Sequence, residues 1–172
     1  MKSYKENLKN ITTLIFDVDG VLTNGKVIVF NGEFLRSIHS KDAFAIQYAA
    51  KLGYNLFIIT GGYSKDLNEK LISLGVKEVF SKSSNKLEIY TDLKEKYKFI
   101  DDETLYIGDD LPDYPIMKLV KIATCPADAV PEIKAISHYH SPFFGGETCV
   151  RDVIEQVLKV QENWMKEEAF MW

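Results

Sequence analysis

The chain has 172 residues, 46% of them apolar and 27% charged, with a net charge of −4. That is enough chain for one domain with a real core, and an acidic balance with no basic stripe argues against a nucleic-acid partner. No apolar run reaches the roughly 18 residues needed to span a bilayer, and the first ten residues, MKSYKENLKN, have no apolar signal core. Cys125 and Cys149 form neither a CxxC nor a zinc spacing. The expectation is a cytoplasmic protein with two reduced thiols and no membrane partner.

In chain order, a polar lead (1–10) precedes a strand over Thr13–Phe16 that runs into Asp17-Val18-Asp19-Gly20. KVIVFNGEFLRSI, residues 26–38, is β-rich on both sides of Asn31-Gly32, a pair suited to the positive φ values of a type I′ turn, so a hairpin flap is expected there. Asp42 is the expected cap of a helix carrying Phe44, Tyr48 and Leu52 and stopped by Gly53. A strand over Asn55–Thr60 ends in Gly61-Gly62. Ser64 starts a helix with Leu67, Leu71 and Leu74, stopped by Gly75. Glu78–Phe80 is a strand, and Ser84 starts a helix carrying Leu87, Tyr90 and Tyr97. Thr104–Ile107 is a strand running into Gly108-Asp109-Asp110, with Asp113 beyond. Lys121–Thr124 is the last expected strand. A final helix from about Thr148 places Val150, Val153, Val157 and Val160 on its buried side, and a tail (162–172) closes the chain. Alternating strands and helices of this size imply an α/β fold, a parallel sheet with helices on both faces, as one domain over 1–172.

In such a sheet, ligands bind beyond the carboxyl ends of the strands. Four acids, a hydroxyl and a lysine meet there: Asp17, Asp19, Asp109, Asp113, Thr60 and Lys86. Like charges at close range are costly unless a cation or a proton joins them. Asp17, Asp19 and Asp109 suit a hard dication, and Mg²⁺ takes a few carboxylates plus waters. Such an ion also neutralises a phosphate that would otherwise repel a carboxylate nucleophile. Thr60 and Lys86 supply a hydroxyl and a fixed positive charge for phosphoryl oxygens. His138 and His140 belong to no carboxylate set and are read as structural or exposed.

With these motifs in place, the chain resembles the haloacid-dehalogenase-superfamily phosphatases and their Rossmann-like fold: DVDGVLT, IITG, the SNK lysine and GDDLPD look like that family's four motifs. More narrowly, DVDGVLTNGKV, YIGDDLPDYPIM and FGGE are similar to the 3-deoxy-D-manno-octulosonate 8-phosphate phosphatases and other sugar-acid phosphatases. The resemblance implies Asp17 as nucleophile and Asp19 as general acid, then base, with Thr60 and Lys86 holding the phosphoryl group. It implies Mg²⁺ on Asp17, the backbone carbonyl of Asp19, and Asp109, with Asp110 and Asp113 orienting metal waters or Lys86. Gly61 and Arg151 would face substrate, Arg151 directly or through a neighbour, and Lys41 and Arg36 are candidate carboxylate binders. The chain departs from the narrower group at Gly62, where an arginine is usual, at Lys41, again in place of arginine, and at Gly145-Gly146-Glu147-Thr148, where one glycine is missing.

Neither residues 20–59 nor residues 61–85 leave room for a cap domain, since units below ~40 residues rarely stand alone. The capless enzymes it resembles are tetramers in which a neighbour's hairpin or tail covers the site, and a homotetramer is expected here. The tail itself docks on its own last helix, remains disordered, or docks on a neighbour. The expected activity is hydrolysis of a phosphorylated sugar acid, 3-deoxy-D-manno-octulosonate 8-phosphate first. A nonulosonate 9-phosphate or other small phosphate ester is the alternative, and a non-catalytic phospho-acceptor or binding module is an alternative of another class.

Overall fold

The computed structural model describes residues 4–171, apart from the Glu33 side chain. Met1–Ser3 of the polar lead and Trp172 of the tail therefore lie outside the described residues. Six strands form one parallel sheet in the order β5-β4-β1-β6-β7-β8. They are β1 (Thr13–Phe16), β4 (Asn55–Ile59), β5 (Glu78–Phe80), β6 (Thr104–Ile107), β7 (Ile122–Cys125) and β8 (Tyr139–His140). β2 (Ile28–Phe30) and β3 (Glu33–Leu35) make the separate antiparallel hairpin. The chain passes from β1 to β4 and β5 on one side, then crosses to β6, β7 and β8 on the other. β1 thus lies at the reversal of strand order, where such sheets open a crevice.

Side-chain alternation along the strands explains the layers. Leu14, Phe16, Leu56, Ile58, Leu105 and Ile107 face a core shared with α2 (Ser40–Lys51), α3 (Lys65–Ser73) and α7 (Cys149–Val160). Ile15, Phe57, Ile59 and Tyr106 face the other way, toward α4 (Lys86–Tyr97), α5 (Tyr114–Met117) and α6 (Pro131–Ile136). Each fully buried Leu, Ile or Phe contributes roughly 1.5–3 kcal/mol. The central strands β1 and β6 are buried at every position, which is why they read as unbroken apolar runs. A short helix α1 (Tyr4–Asn7) and the turn after it bring Leu8 into the first core.

Five local expectations are corrected. Asp42 is not a cap: His39 caps α2, its ring accepting from Lys41 N, and Asp42 is buried inside the first turn. Its Oδ1 accepts from Arg151 N at 2.6 Å, so it ties α2 to the start of α7. Asn85, not Ser84, caps α4, because its side chain reaches Glu88 N. Ser64 stands at the N-cap of α3 without a side-chain capping bond. β4 stops one residue before Thr60, and β7 runs one residue later than expected. α5, α6 and β8 were not expected. Each is at most six residues long, too short to carry a period.

The hairpin turn has φ +49° at Asn31 and +80° at Gly32, as a type I′ turn requires. Among the described residues no unit stands between the strands as a cap, and no helix is long and apolar enough to cross a membrane.

The tail docks in cis. Trp164 packs edge-on against Tyr48 with ring centroids 5.7 Å apart, Tyr48 Oη donates to Asn163 O, and Lys51 Nζ reaches Met171 O. Phe170 and Met171 remain exposed. His138 accepts from Ala123 N and His140 is exposed, so both histidines are structural or solvent-facing.

Candidate active site

β1 ends at Phe16 and the chain coils through Val18–Leu22, placing Asp17 and Asp19 at the carboxyl end of the sheet. Gly20 makes that coil possible. Its φ of +88° is one that side-chain-bearing residues avoid, and a Cβ there would collide with the Asp109 carboxylate. The ends of β1, β4 and β6 then surround an open cleft of about 460 Å³. Asp17, Asp19, Thr60, Gly61, Lys86, Asp109, Asp110 and Asp113 all line it. The eight residues come from three strand ends and one helix start, and only the sheet brings them together.

One side of the cleft is a sealed charge network. Lys86, at the first turn of α4, places Nζ 2.9 Å from Asp17 Oδ1 and 2.7 Å from Asp113 Oδ1. Asp113 is fully buried and both its oxygens are taken. Oδ1 accepts from Lys86 and from Tyr106 Oη at 2.7 Å, and Oδ2 accepts from the backbone N–H groups of Asp109 and Asp110. The Asp110 side chain turns elsewhere and caps the turn Leu111–Asp113 by accepting from Leu111 N. Thr60 Oγ1 accepts from Gly62 N, shaping the turn after β4.

The acids are under electrostatic pressure. Burial raises Asp109 to about 8, helped by the charges of Asp17 and Asp113, and Asp109 Oδ1 is buried with no hydrogen-bond partner. Burial also raises Asp17, with Asp113 adding to the rise and Lys86 opposing it. Burial alone would lower Lys86, but the two facing carboxylates win, so its pKa is raised and it stays charged. Ligand oxygens of Asp17, Asp109 and Asp113 lie within 4.8 Å of one another. Because Asp113 is saturated by four donors, a cation has Asp17 and the orphaned Asp109 oxygen to rest on. An oxygen-only set with a dangling buried carboxylate oxygen fits a hard dication.

Lys41 and Arg151 do not join this set. They line a second pocket with Phe143, Thr148, Asp152 and Glu155. Arg151 Nε pairs with Glu155 at 3.0 Å, and its guanidinium lies 4.6 Å from the Trp164 ring. Arg36 is not free for a substrate carboxylate either, since it grips Asp19 through Nε–Oδ1 (2.8 Å) and Nη2–Oδ2 (2.9 Å). The sequence reading missed that pairing and missed Tyr106. A tyrosine inside a fully buried strand, two residues before Gly108-Asp109, is itself a signal, because its hydroxyl needs a partner.

A haloacid dehalogenase-like hydrolase family model matches residues 63–143, which include Lys86 and Asp109 but not the first strand. Over 154 residues the chain is 35% identical to the 3-deoxy-D-manno-octulosonate 8-phosphate phosphatase KdsC of Escherichia coli K12, covering 89% of this chain and 82% of that protein. The chain belongs to the 3-deoxy-D-manno-octulosonate 8-phosphate phosphatase family. It is a haloacid dehalogenase-like phosphatase. A family member from Yersinia pestis superposes with a TM-score of 0.90 at 32% identity, over 93% of this chain and 87% of that one. Another, from Moraxella catarrhalis, was crystallised with a magnesium ion, a phosphate ion and a KDO molecule. It superposes with a TM-score of 0.90 at 28% identity, over 94% of this chain and 93% of that one.

Proposed function

We propose that this phosphatase hydrolyses 3-deoxy-D-manno-octulosonate 8-phosphate to the free sugar acid and phosphate, with Mg²⁺, as a single hydrolase domain over 1–172 in the cytoplasm. The observation that carries the reading is the orphaned Asp109 oxygen, on a carboxylate clustered with that of Asp17, which Lys86 holds. Asp17 and Asp109, with the Asp19 backbone carbonyl, would hold the ion. Bound there, Mg²⁺ neutralises the carboxylates and draws charge from the phosphoryl oxygens.

The chain's own residues then divide the work. Asp17 attacks phosphorus, the bond to the sugar oxygen breaks, and Asp19 gives that oxygen its proton. Water next attacks the aspartyl phosphate, its proton passes to Asp19, and Asp17 is released with phosphate. Lys86 and Thr60 hold phosphoryl oxygens through both steps. Asp113, with Tyr106 behind it, keeps Lys86 in place, and Gly61 lets the phosphate approach the backbone.

A nonulosonate 9-phosphate is the second reading. Its ground is Gly62 and Lys41, which stand where the octulosonate phosphatases carry arginine; Lys86 is the only cationic residue among those lining the cleft, so the carboxylate that either sugar acid carries meets no arginine there. A neighbour could supply that contact. The hairpin exposes Ile28, Val29, Phe30 and Phe34, each more than half accessible, and an apolar patch of this kind marks an interface. We read the enzyme as a homotetramer whose hairpins, and exposed Phe170 and Met171, cover neighbouring sites. Lys41 and Arg151 would act across such an interface.

The test is kcat/KM over a panel of sugar phosphates with Mg²⁺ and with chelator, beside Asp17→Asn. The octulosonate 8-phosphate should lead the panel, and the variant should release no phosphate. Turnover by Asp17→Asn would sink the mechanism; a nonulosonate 9-phosphate at the top of the panel would replace the substrate.

A further inference from the structure

Arg36 and Gly62 are fitted to each other around Asp19. A Cβ at Gly62 would stand 2.6 Å from Arg36 Nη2 and 2.7 Å from Asp19 Oδ2, and Gly62 is not among the glycines with positive φ. The glycine is therefore needed for room, not for backbone freedom. Arg36 directly follows β3, and its side chain is only 7% exposed. Besides its two bonds to Asp19 it donates through Nη1 to Tyr63 O at 3.0 Å and weakly to Phe34 O at 3.4 Å. The guanidinium is thus pinned from the hairpin and from the turn after β4 at once.

The Asp19 carboxylate offers about four lone-pair sites. Oδ1 accepts from Arg36 Nε and from Thr23 Oγ1 at 3.2 Å, while Oδ2 accepts from Arg36 Nη2 alone. One site on Oδ2 is left, on a residue that lines the cleft beside Gly62. Every group bonded to the carboxylate is a donor, the set an acceptor carboxylate takes. The fork fixes the plane of the carboxylate as well as its place.

We propose that Arg36 is a positioning residue that holds Asp19 as the base of the second half-reaction, with Oδ2 as the oxygen that takes the proton. This rests on the function proposed for the site. In that half-reaction the water oxygen bonds to phosphorus and the bond from phosphorus to Asp17 breaks. Its electron pair returns to the Asp17 carboxylate, and the proton of the water goes to Asp19 Oδ2. Gly62 is part of the same device, because any side chain there pushes on both partners.

The experiment is steady-state kinetics of Arg36→Ala, Arg36→Lys and Gly62→Ala on the best sugar phosphate of the panel, with the phosphorylated fraction of acid-quenched enzyme read by mass spectrometry. kcat/KM reports the steps through transfer to Asp17, whereas kcat includes hydrolysis of the aspartyl phosphate. Arg36→Ala should lower kcat about 10–100-fold with phosphoenzyme accumulating, and should lower kcat/KM by a smaller factor, since Asp19 also serves as the acid of the first half-reaction. Arg36→Lys keeps the charge without the fork and should fall between. Gly62→Ala should show the same pattern, and the double variant should be no worse than the poorer single one, since both act on one contact. If Arg36→Ala does not fold, the other two variants carry the same readout. A kcat within about twofold of wild type, or a loss in kcat/KM without phosphoenzyme, overturns the proposal. Wild-type enzyme that releases no phosphate from any sugar phosphate is a different failure, that of the proposed function itself, and the inference falls with it.

Discussion

Lys86 Nζ stands 2.9 Å from Asp17 Oδ1, with both side chains more than nine-tenths sealed from water. A charge buried this deeply persists only because two carboxylates face it. Substituting Lys86→Met should lower kcat about 10²–10³-fold, the usual loss when a fixed donor on a developing oxyanion is removed. The same substitution removes what opposes the rise of Asp17. The acidic limb of the kcat/KM profile should therefore move to higher pH. A profile that keeps its limb while kcat falls would separate phosphate binding from the tuning of Asp17.

Asp113 is the keystone of the charge network without touching substrate in the proposed chemistry. Its two oxygens accept from Lys86, Tyr106 and two backbone N–H groups, and the carboxylate itself is fully buried. Asp113→Ala leaves Tyr106 and the two backbone N–H groups without this acceptor and Lys86 with Asp17 alone, and should destabilise the fold by about 3 kcal/mol. Urea denaturation reads this as a lower midpoint at unchanged slope. A shift of less than about 1 kcal/mol would mean that water replaces the carboxylate freely.

The raised acids predict how metal and pH interact. In the metal-free fold Asp109 keeps its proton up to about pH 8, whereas in the unfolded chain the same group releases it near its ordinary value of 3.8. The native state then binds more protons in that window, so stability falls as pH rises from about 4 to about 8. Asp17 adds in the same direction. A dication binds the ionised pair and stabilises by mass action. Added Mg²⁺ should thus raise Tm more at pH 8 than at pH 5, and chelator should reverse it. Thermal melts at the two pH values decide this, and equal shifts at both would refute it.

The chain announced much of this. The strands that run toward Asp17, Thr60 and Asp109 are short, apolar and each followed by a glycine-containing turn, so periodicity placed them within a residue. The sheet order then had only to put β1 between β4 and β6 for the acids to meet. What periodicity cannot carry is a contact between a hairpin and a loop. Arg36 reaches Asp19 because β3 ends beside the turn after β4, a relationship of tertiary placement with no repeat behind it. Lys41 and Arg151 show the reverse relation: their charge suits a sugar acid, but α2 and α7 aim them into a different pocket of the same chain.

The hairpin tests the assembly. Val29 and Phe30 in β2 are 67% and 61% exposed, and substituting them removes little packing within the chain. Surface changes of that kind usually shift stability by no more than about 0.5 kcal/mol. Val29→Glu with Phe30→Lys should therefore leave the monomer's fold intact. If hairpins pack against neighbouring copies, the pair should lower the molecular mass that light scattering reads, since buried unpaired charges at an interface are costly. Activity should fall with the loss of assembly, because the open cleft loses its cover and its second source of substrate contacts. A variant that stays tetrameric would move the interface elsewhere on the surface. A fully active monomer would show that the cleft needs no neighbour.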